Sequence, residues 1–524
     1  MTNANEKKGL TAIIAASSLG TLIEWYDFYI FGSLATIIST KFFPSTNPTA
    51  ALLSTLATFA AGFVVRPFGA LFFGRLGDLI GRKYTFLVTL IIMGLSTFLI
   101  GCVPAYETIG FLAPVLVLFL RLLQGLALGG EYGGAATYVA EHSPVNQRGF
   151  YTSWIQTTAT VGLFISLFVI IITKGAMDDE SFNRWGWRVP FWISILMVAV
   201  SVLIRMKMQE SPVFAKAKSE GKTSKNPLKE SFGHKMNFKF VLLALFGATM
   251  GQGVVWYTGQ FYALSFIQNT LNIDITQASK IIMLALGMGT PFFLVFGGLS
   301  DKIGRKWIML AGMLIAIFSY RPIYSAMHDA GSVENKQEIP ANKRIDATTA
   351  ADKGNAANSI KTTVTTKEYT DGTLYKETKK ETAPAVASNA NPPGDVKTTK
   401  VIILDNGSFW KLVGLVFIQV IFVTMVYGPI AAFLVEMFPV KIRYTSMSLP
   451  YHIGNGIFGG LLPAIATFLA AKATQANEAA AKAGTALPYD KPFLEGLWYP
   501  IIIASVCFVI GALYINGKDN EVYD

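Results

Sequence analysis

Six side chains able to carry charge or a strong hydrogen bond, Glu24, Asp27, Arg66, Arg121, Gln124 and Glu131, stand inside stretches that are otherwise apolar. Glu24 and Asp27 are three residues apart and share a helical face, and Arg121, Gln124 and Glu131 share a stripe on another helix. At 1.5 Å per residue the two acids come about 20–25 Å in from one end of their apolar run, and Arg121 about 18 Å in from the end of its own. A charge that deep in lipid costs a few kcal/mol or more unless it faces the protein interior and finds a partner. A guanidinium stays protonated and presents a planar fork that matches a carboxylate. Arg121 and Arg66, with Gln124 and Glu131, therefore suit charge compensation or the anchoring of an anionic ligand. A carboxylate in the same cavity suits the pick-up and release of a proton, and Asp27, deeper than Glu24, is preferred for that role. The alternative is a structural ion pair in which Glu24 or Asp27 simply neutralises Arg66 or Arg121.

A second set of residues mixes rings with amides. Trp256 and Tyr257 lie between Gln252 and Gln260, Tyr451 and His452 are followed by Asn455, and Tyr26 sits between the two acids. Their polar atoms need partners away from lipid, so they are candidates to line a cavity. Packing and interfacial anchoring explain the aromatic members equally well, and a structural role for His452 stands beside that of a proton relay.

The elements that must position these groups are membrane spans. The 524 residues are 52% hydrophobic and 15% charged, with a mean hydropathy of +0.44. That balance lies outside the range of soluble domains. Runs of about 20 apolar residues predict spans near 12–38, 50–74, 84–103, 109–133, 150–173 and 187–206, then near 240–265, 279–300, 307–328, 410–437, 446–471 and 493–516. Backbone satisfaction in lipid makes them helices. The predicted fold is all-α, twelve transmembrane helices in two six-helix bundles. The expected segments are residues 1–206 and 240–516 for the bundles, 207–239 for a linker and 517–524 for a short tail.

Two repeated motifs support the halves. Gly74-Arg75-Leu76-Gly77-Asp78-Leu79-Ile80-Gly81-Arg82-Lys83 returns as Gly297-Gly298-Leu299-Ser300-Asp301-Lys302-Ile303-Gly304-Arg305-Lys306, identical at seven of ten positions. Glu141 with Arg148 returns as Glu436 with Arg443. The decapeptides read as loops whose acid pairs with a cation or a helix N-terminus and so latches one bundle to the other. The second shift is longer than the first, so extra chain lies between Lys306 and Glu436. Residues 330–409, rich in Lys, Thr, Ala and Asn, are that insertion, expected to be loosely ordered apart from a small hairpin around Asp371-Gly372. Lys and Arg concentrate on the loops that share a side with the termini, nine of them between Arg205 and Lys239. The termini are therefore expected in the cytoplasm and the insertion outside.

Several functions are excluded. The basic residues form no groove-reading module, so nucleic acid is not a partner. Cys102 and Cys507 have no Cys or His at ligand spacing, and no metal or cofactor is expected. No Walker-type loop or Gly-x-Ser-x-Gly is present, which leaves an enzyme unsupported.

The paired decapeptides resemble the loop signature of the major facilitator superfamily, and Arg121-Leu122-Leu123-Gln124-Gly125 its span-four motif. Glu24-Trp25-Tyr26-Asp27-Phe28, Arg66-Pro67-Phe68-Gly69 and Gly129-Gly130-Glu131-Tyr132-Gly133-Gly134 resemble the metabolite:proton symporter family, which includes carriers of proline and betaine, 2-oxoglutarate, citrate and shikimate. The resemblance implies a central cavity open alternately to each side and proton-coupled uptake of a small organic anion or zwitterion across the bacterial inner membrane, by a monomer. A gradient-independent facilitator or exchanger is the alternative, and a receptor that does not transport is a third reading. The insertion is not part of the family pattern.

Overall fold

The computed structural model describes residues 14, 18, 21, 22, 25–27, 29–43, 48–80, 82–206, 215, 219, 220, 224, 226–334, 336–351, 358–384 and 396–515. Glu24, Gly81, the tail 517–524, most of the linker and the side chains of Asp78, Arg82 and Lys83 lie outside the described set. Ten helices among the described residues are long and apolar enough to cross a membrane: Ala51–Gly77, Leu112–His142, Val145–Gly175, Gly186–Leu203, Lys235–Thr270, Ile275–Ile303, Arg305–Gly331, Asn406–Met437, Val440–Ala483 and Pro492–Tyr514. The helix Arg82–Cys102 stands in the third place, and helical residues 25–27 and 29–33 with Ala35–Phe42 stand in the first. This is the all-α, twelve-helix membrane fold.

Spans seven and eleven depart from regular α-helix. Span seven widens to π-turns at Leu245–Thr249, Thr258–Tyr262 and Phe266–Thr270, and span eleven at Ile453–Gly459. Such turns recur at functional sites, and these two helices carry most of the amide and aromatic candidates. Span eleven also runs to Ala483, past its expected end at 471. Its last three turns are alanine-rich and favour helix without needing lipid, and Gly484 stops them in the left-handed conformation at φ 67°.

Glycines set the contact between spans two and four. A Cβ on Gly125 would stand 1.7 Å from the Gly62 carbonyl oxygen, and one on Gly129 2.2 Å from that of Arg66. Only glycine permits backbones this close. The motif glycines thus carry Arg66 and Arg121 together on one pair of helices.

The chain forms two compact units, one of residues 1–262, 283–321 and 417–524, the other of 263–282 and 322–416. The second unit holds more order than its composition suggests. Strands β1 (Arg344–Ala351), β2 (Asn358–Glu368), β3 (Leu374–Pro384) and β4 (Val396–Ile403) make an antiparallel meander in chain order. β2 and β3 pair from Asn358 opposite Pro384 to Glu368 opposite Leu374, around a turn that contains Gly372 at φ 90°. The expectation of one hairpin in loosely ordered chain is corrected here. Alternating Thr, Val and Ile favour a pleated sheet, and two flanking strands supply the pairing that an isolated hairpin lacks.

This sheet is tied into its unit through β4 and through Lys336, among other contacts. Ile402 of β4 pairs in parallel with Ile273, and the Gln277 amide bonds the Leu404 carbonyl at 3.1 Å and its N–H at 2.8 Å. Lys336 Nζ meets Asp371 at 2.6 Å, Thr373 at 2.7 Å, Ser408 at 3.1 Å and Asp405 at 3.3 Å.

Candidate functional site

Arg121 is fully buried. Its guanidinium donates to Gln124 Oε1 and to the Phe59 carbonyl, the latter at 3.2 Å, and lies over the rings of Phe31 at 4.5 Å and Phe59 at 4.9 Å. The Gln124 amide donates to Thr97 Oγ1 at 2.6 Å and to the Asp27 backbone carbonyl at 3.3 Å. Arg121 and Gln124 therefore join spans one to four. Glu131 sits where span four breaks between Gly129 and Tyr132, buried, and accepts from Thr89 Oγ1 at 3.1 Å.

Asp27 is fully buried, and neither carboxyl oxygen has a hydrogen-bond partner among the described residues. Its Oδ2 would lie 3.3 Å from a Cβ on Gly94, a site that also abuts Val198. The alternative reading, an ion pair between Asp27 and Arg66 or Arg121, finds no such pair among the described residues. On span one, Trp25 and Tyr29 face one way and Asp27, half a turn round, faces spans three and six. Tyr26 is corrected too: its hydroxyl donates to the Pro190 carbonyl at 3.0 Å, inside the N-terminal bundle.

The two halves meet in a layer of rings. Trp25 stacks on Tyr29 at 5.0 Å, and both approach Trp256 of span seven, at 6.1 and 5.7 Å. Tyr257 stands against Trp256 at 4.7 Å and Phe63 at 5.2 Å. Arg66 enters this layer from span two, its guanidinium 3.9 Å from the Phe63 ring and 5.5 Å from Trp25. Closer to the decapeptides, Tyr132 and Tyr451 lie face to face across the halves at 3.5 Å and 3°. Gln156 donates to the Tyr132 hydroxyl at 2.6 Å, and the hydroxyls of Tyr451 and Tyr427 are 2.6 Å apart.

The remaining amides are mostly engaged. Gln252 and Asn455 bond reciprocally at 3.1 and 2.9 Å, and Gln260 donates to Thr160 at 3.3 Å. His452 is buried with no hydrogen-bond partner for either ring nitrogen among the described residues.

At the face carrying the decapeptides, Asp301 accepts the backbone N–H groups of Gly149 at 2.8 Å and Phe150 at 2.9 Å, in the first turn of the helix that Arg148 opens. Arg305 bonds Asp301 at 2.8 Å and Glu436 through two 2.6 Å bonds. Arg443 reaches Glu141 across the halves at 3.4 Å. Gly304 holds φ at 96°, and Lys306 donates to the Ala512 carbonyl at 2.9 Å. A Cβ on Gly74 would touch the Tyr444 ring at 3.6 Å. Contacts across this face are thus seen at Asp301 and Arg305 of the second decapeptide, whereas the expectation was centred on Asp78, whose side chain is outside the described set.

Sequence reasoning passed over Tyr132, Tyr427, Tyr444 and Gln156. Tyr132 had a signal, since it is the one large residue in Gly129-Gly130-Glu131-Tyr132-Gly133-Gly134. Tyr444 donates to the Gly130 carbonyl in that same stretch.

The family model of sugar (and other) transporters matches residues 12–239. The α-ketoglutarate permease of Escherichia coli (strain K12) is 36% identical over 333 residues, 63% of this chain and 75% of that protein. The proline/betaine transporter of Salmonella typhimurium is 35% identical over 319 residues, 59% of this chain and 63% of that protein. A partially occluded, inward-open xylose transporter of E. coli has the same fold, with a TM-score of 0.59 at 13% identity over 97% of this chain and 99% of its own. The chain belongs to the major facilitator superfamily, and within it to the metabolite:proton symporter family of membrane transporters.

Proposed function

We propose that this protein is a secondary active transporter that carries a small organic anion or zwitterion inward with protons, by alternating access. The observation that carries the reading is Asp27, an acid fully buried in the N-terminal bundle with both carboxyl oxygens unbonded among the described residues. An ionised carboxylate so placed is costly, and taking up a proton removes that cost. Access to water from one side and then the other turns such an acid into a proton carrier. Glu24 is assigned to the same coupling. Arg66 and Arg121 supply positive charge, which suits a substrate bearing a carboxylate, and the relatives named above are carriers of α-ketoglutarate and of proline or betaine.

The protein works as a monomer in the bacterial inner membrane, with both termini and the decapeptide face in the cytoplasm, as the basic loops require. A site between two bundles near the bilayer midplane is where such folds bind substrate. The test is uptake by cells expressing the protein, offered labelled 2-oxoglutarate, shikimate, L-proline and glycine betaine with and without an uncoupler. Concentrative uptake of one of them that collapses with the uncoupler is expected. Uptake that equilibrates and ignores the uncoupler would replace symport with the facilitator or exchanger reading.

A further inference from the structure

The candidates for substrate contact divide into groups already satisfied and groups left open. Gln252 and Asn455 bond each other, Tyr451 bonds Tyr427, and Arg121 bonds Gln124 and Phe59. His452 and Trp256 differ. Each is at most 2% exposed, and neither imidazole nitrogen nor the indole Nε1 has a hydrogen-bond partner among the described residues. Buried polar groups of folded proteins are bonded in the great majority of cases, and each exception calls for a reason. A core that only had to pack would be served as well by phenylalanine at either position.

Both groups come to the neighbourhood of Arg66. Gly456, four residues past His452 on span eleven, packs on span two so closely that a Cβ there would lie 2.6 Å from the Phe63 carbonyl oxygen and 3.8 Å from Arg66 Cβ. The Arg66 guanidinium lies against Phe63 and Trp25, the rings that in turn meet Tyr257 and Trp256. Arg66 comes from one half and His452 and Trp256 from the other.

We propose that Arg66, His452 and Trp256 form the subsite for the substrate's carboxylate, the guanidinium supplying the counter-charge and the imidazole and indole N–H groups donating to the carboxylate oxygens. The proposal rests on the reading of the protein as a carrier of organic anions or zwitterions. A neutral imidazole has one N–H to give, an indole has only a donor, and both are matched to an acceptor-only group. The rest of the molecule lies on the ring faces of Trp25, Tyr29 and Tyr257. Arg121 is then a positioning residue that holds span four against its neighbours. Because the carboxylate touches both halves, its binding favours the conformation in which they are closed.

The experiment is a titration of purified full-length protein, in detergent, with 2-oxoglutarate, shikimate, L-proline and glycine betaine, followed by calorimetry and by thermal shift. Trp256→Phe keeps a ring and removes the N–H, and His452→Gln keeps a polar group but moves it. For each probe that binds the wild type, both variants are expected to raise Kd by tenfold or more, with the unliganded Tm within about 2 °C of wild type. If one variant fails to fold, the other decides. Kd unchanged within twofold in the folded variants overturns the subsite and leaves the carrier reading standing. No binding of any probe to the wild type removes the carboxylate reading of the whole site, and this proposal with it.

Discussion

The guanidinium of Arg121 donates to a side chain and a backbone carbonyl and covers two phenyl rings, so its charge, plane and length are all used. Lysine keeps the charge and loses the fork. Arg121→Lys is expected to cost on the order of 2 kcal/mol, the worth of a hydrogen bond to a charged group, seen as a lower unfolding temperature, and to cut uptake more than tenfold. Normal uptake and stability would leave Arg121 only its charge. Residue counting put Asp27 and Arg121 at comparable depth, and Gln124, one turn from Arg121, bonds the Asp27 backbone. Pairing was not legible. Periodicity fixes which residues share a face on one helix, but not how that helix is rotated against the next, and this rotation sends Asp27 and Tyr26 toward spans three and six.

At the level of elements, the four-stranded sheet is where composition misled most. Lys and Thr made residues 330–409 look unable to order, while the Asp371-Gly372 pair marked a turn. What composition hides is pairing: β1 and β4 each gain order from the strand beside them. The cluster under Lys336 gives the sheet a pH dependence. Burial pushes the Asp405 carboxyl up, but bonds from the Ser408 hydroxyl and N–H and from Lys336 outweigh it and hold the group at about 2. Asp371 is also held below the ordinary carboxylate range: burial pushes it up, and bonds from Lys336 and Thr373 prevail. For depressed acids the stabilisation is present above the ordinary carboxylate value of about 4 and is lost as pH falls toward the folded value. Amide protection of β2 and β3, corrected for intrinsic exchange, is expected to be flat from neutral pH to about 5 and to drop between about 4 and 2. Lys336→Met should shrink that drop, leaving the part due to Ser408 and Thr373, and lower protection at neutral pH.

For the whole molecule, the contacts at the decapeptide face join the halves in the conformation described here. Asp301 places a charge on the first N–H groups of span five, where the helix dipole favours an anion, and Arg305 links it to Glu436. The repeat itself was readable, as a loop that returns in both halves at the same point in the topology. Its partner was not readable, since no sequence rule names the helix that a loop will cap. Asp301→Ala removes the bond to Arg305 and the two charge-assisted bonds to span five, each of these two worth about 1.5–3 kcal/mol, and is expected to shift the population toward the open decapeptide face by at least tenfold. Labelling of a cysteine placed at Ser153, behind the latch, should quicken accordingly, and an unchanged rate would count against the latch.

The central claim, proton coupling through Asp27, is tested most directly in proteoliposomes that enclose a pH-sensitive dye and carry an imposed pH gradient. Substrate addition is expected to drive proton entry with wild-type protein. Asp27→Asn is expected to abolish both proton entry and accumulation while exchange of labelled for unlabelled substrate persists. Accumulation and proton entry by Asp27→Asn at the wild-type rate would contradict the account.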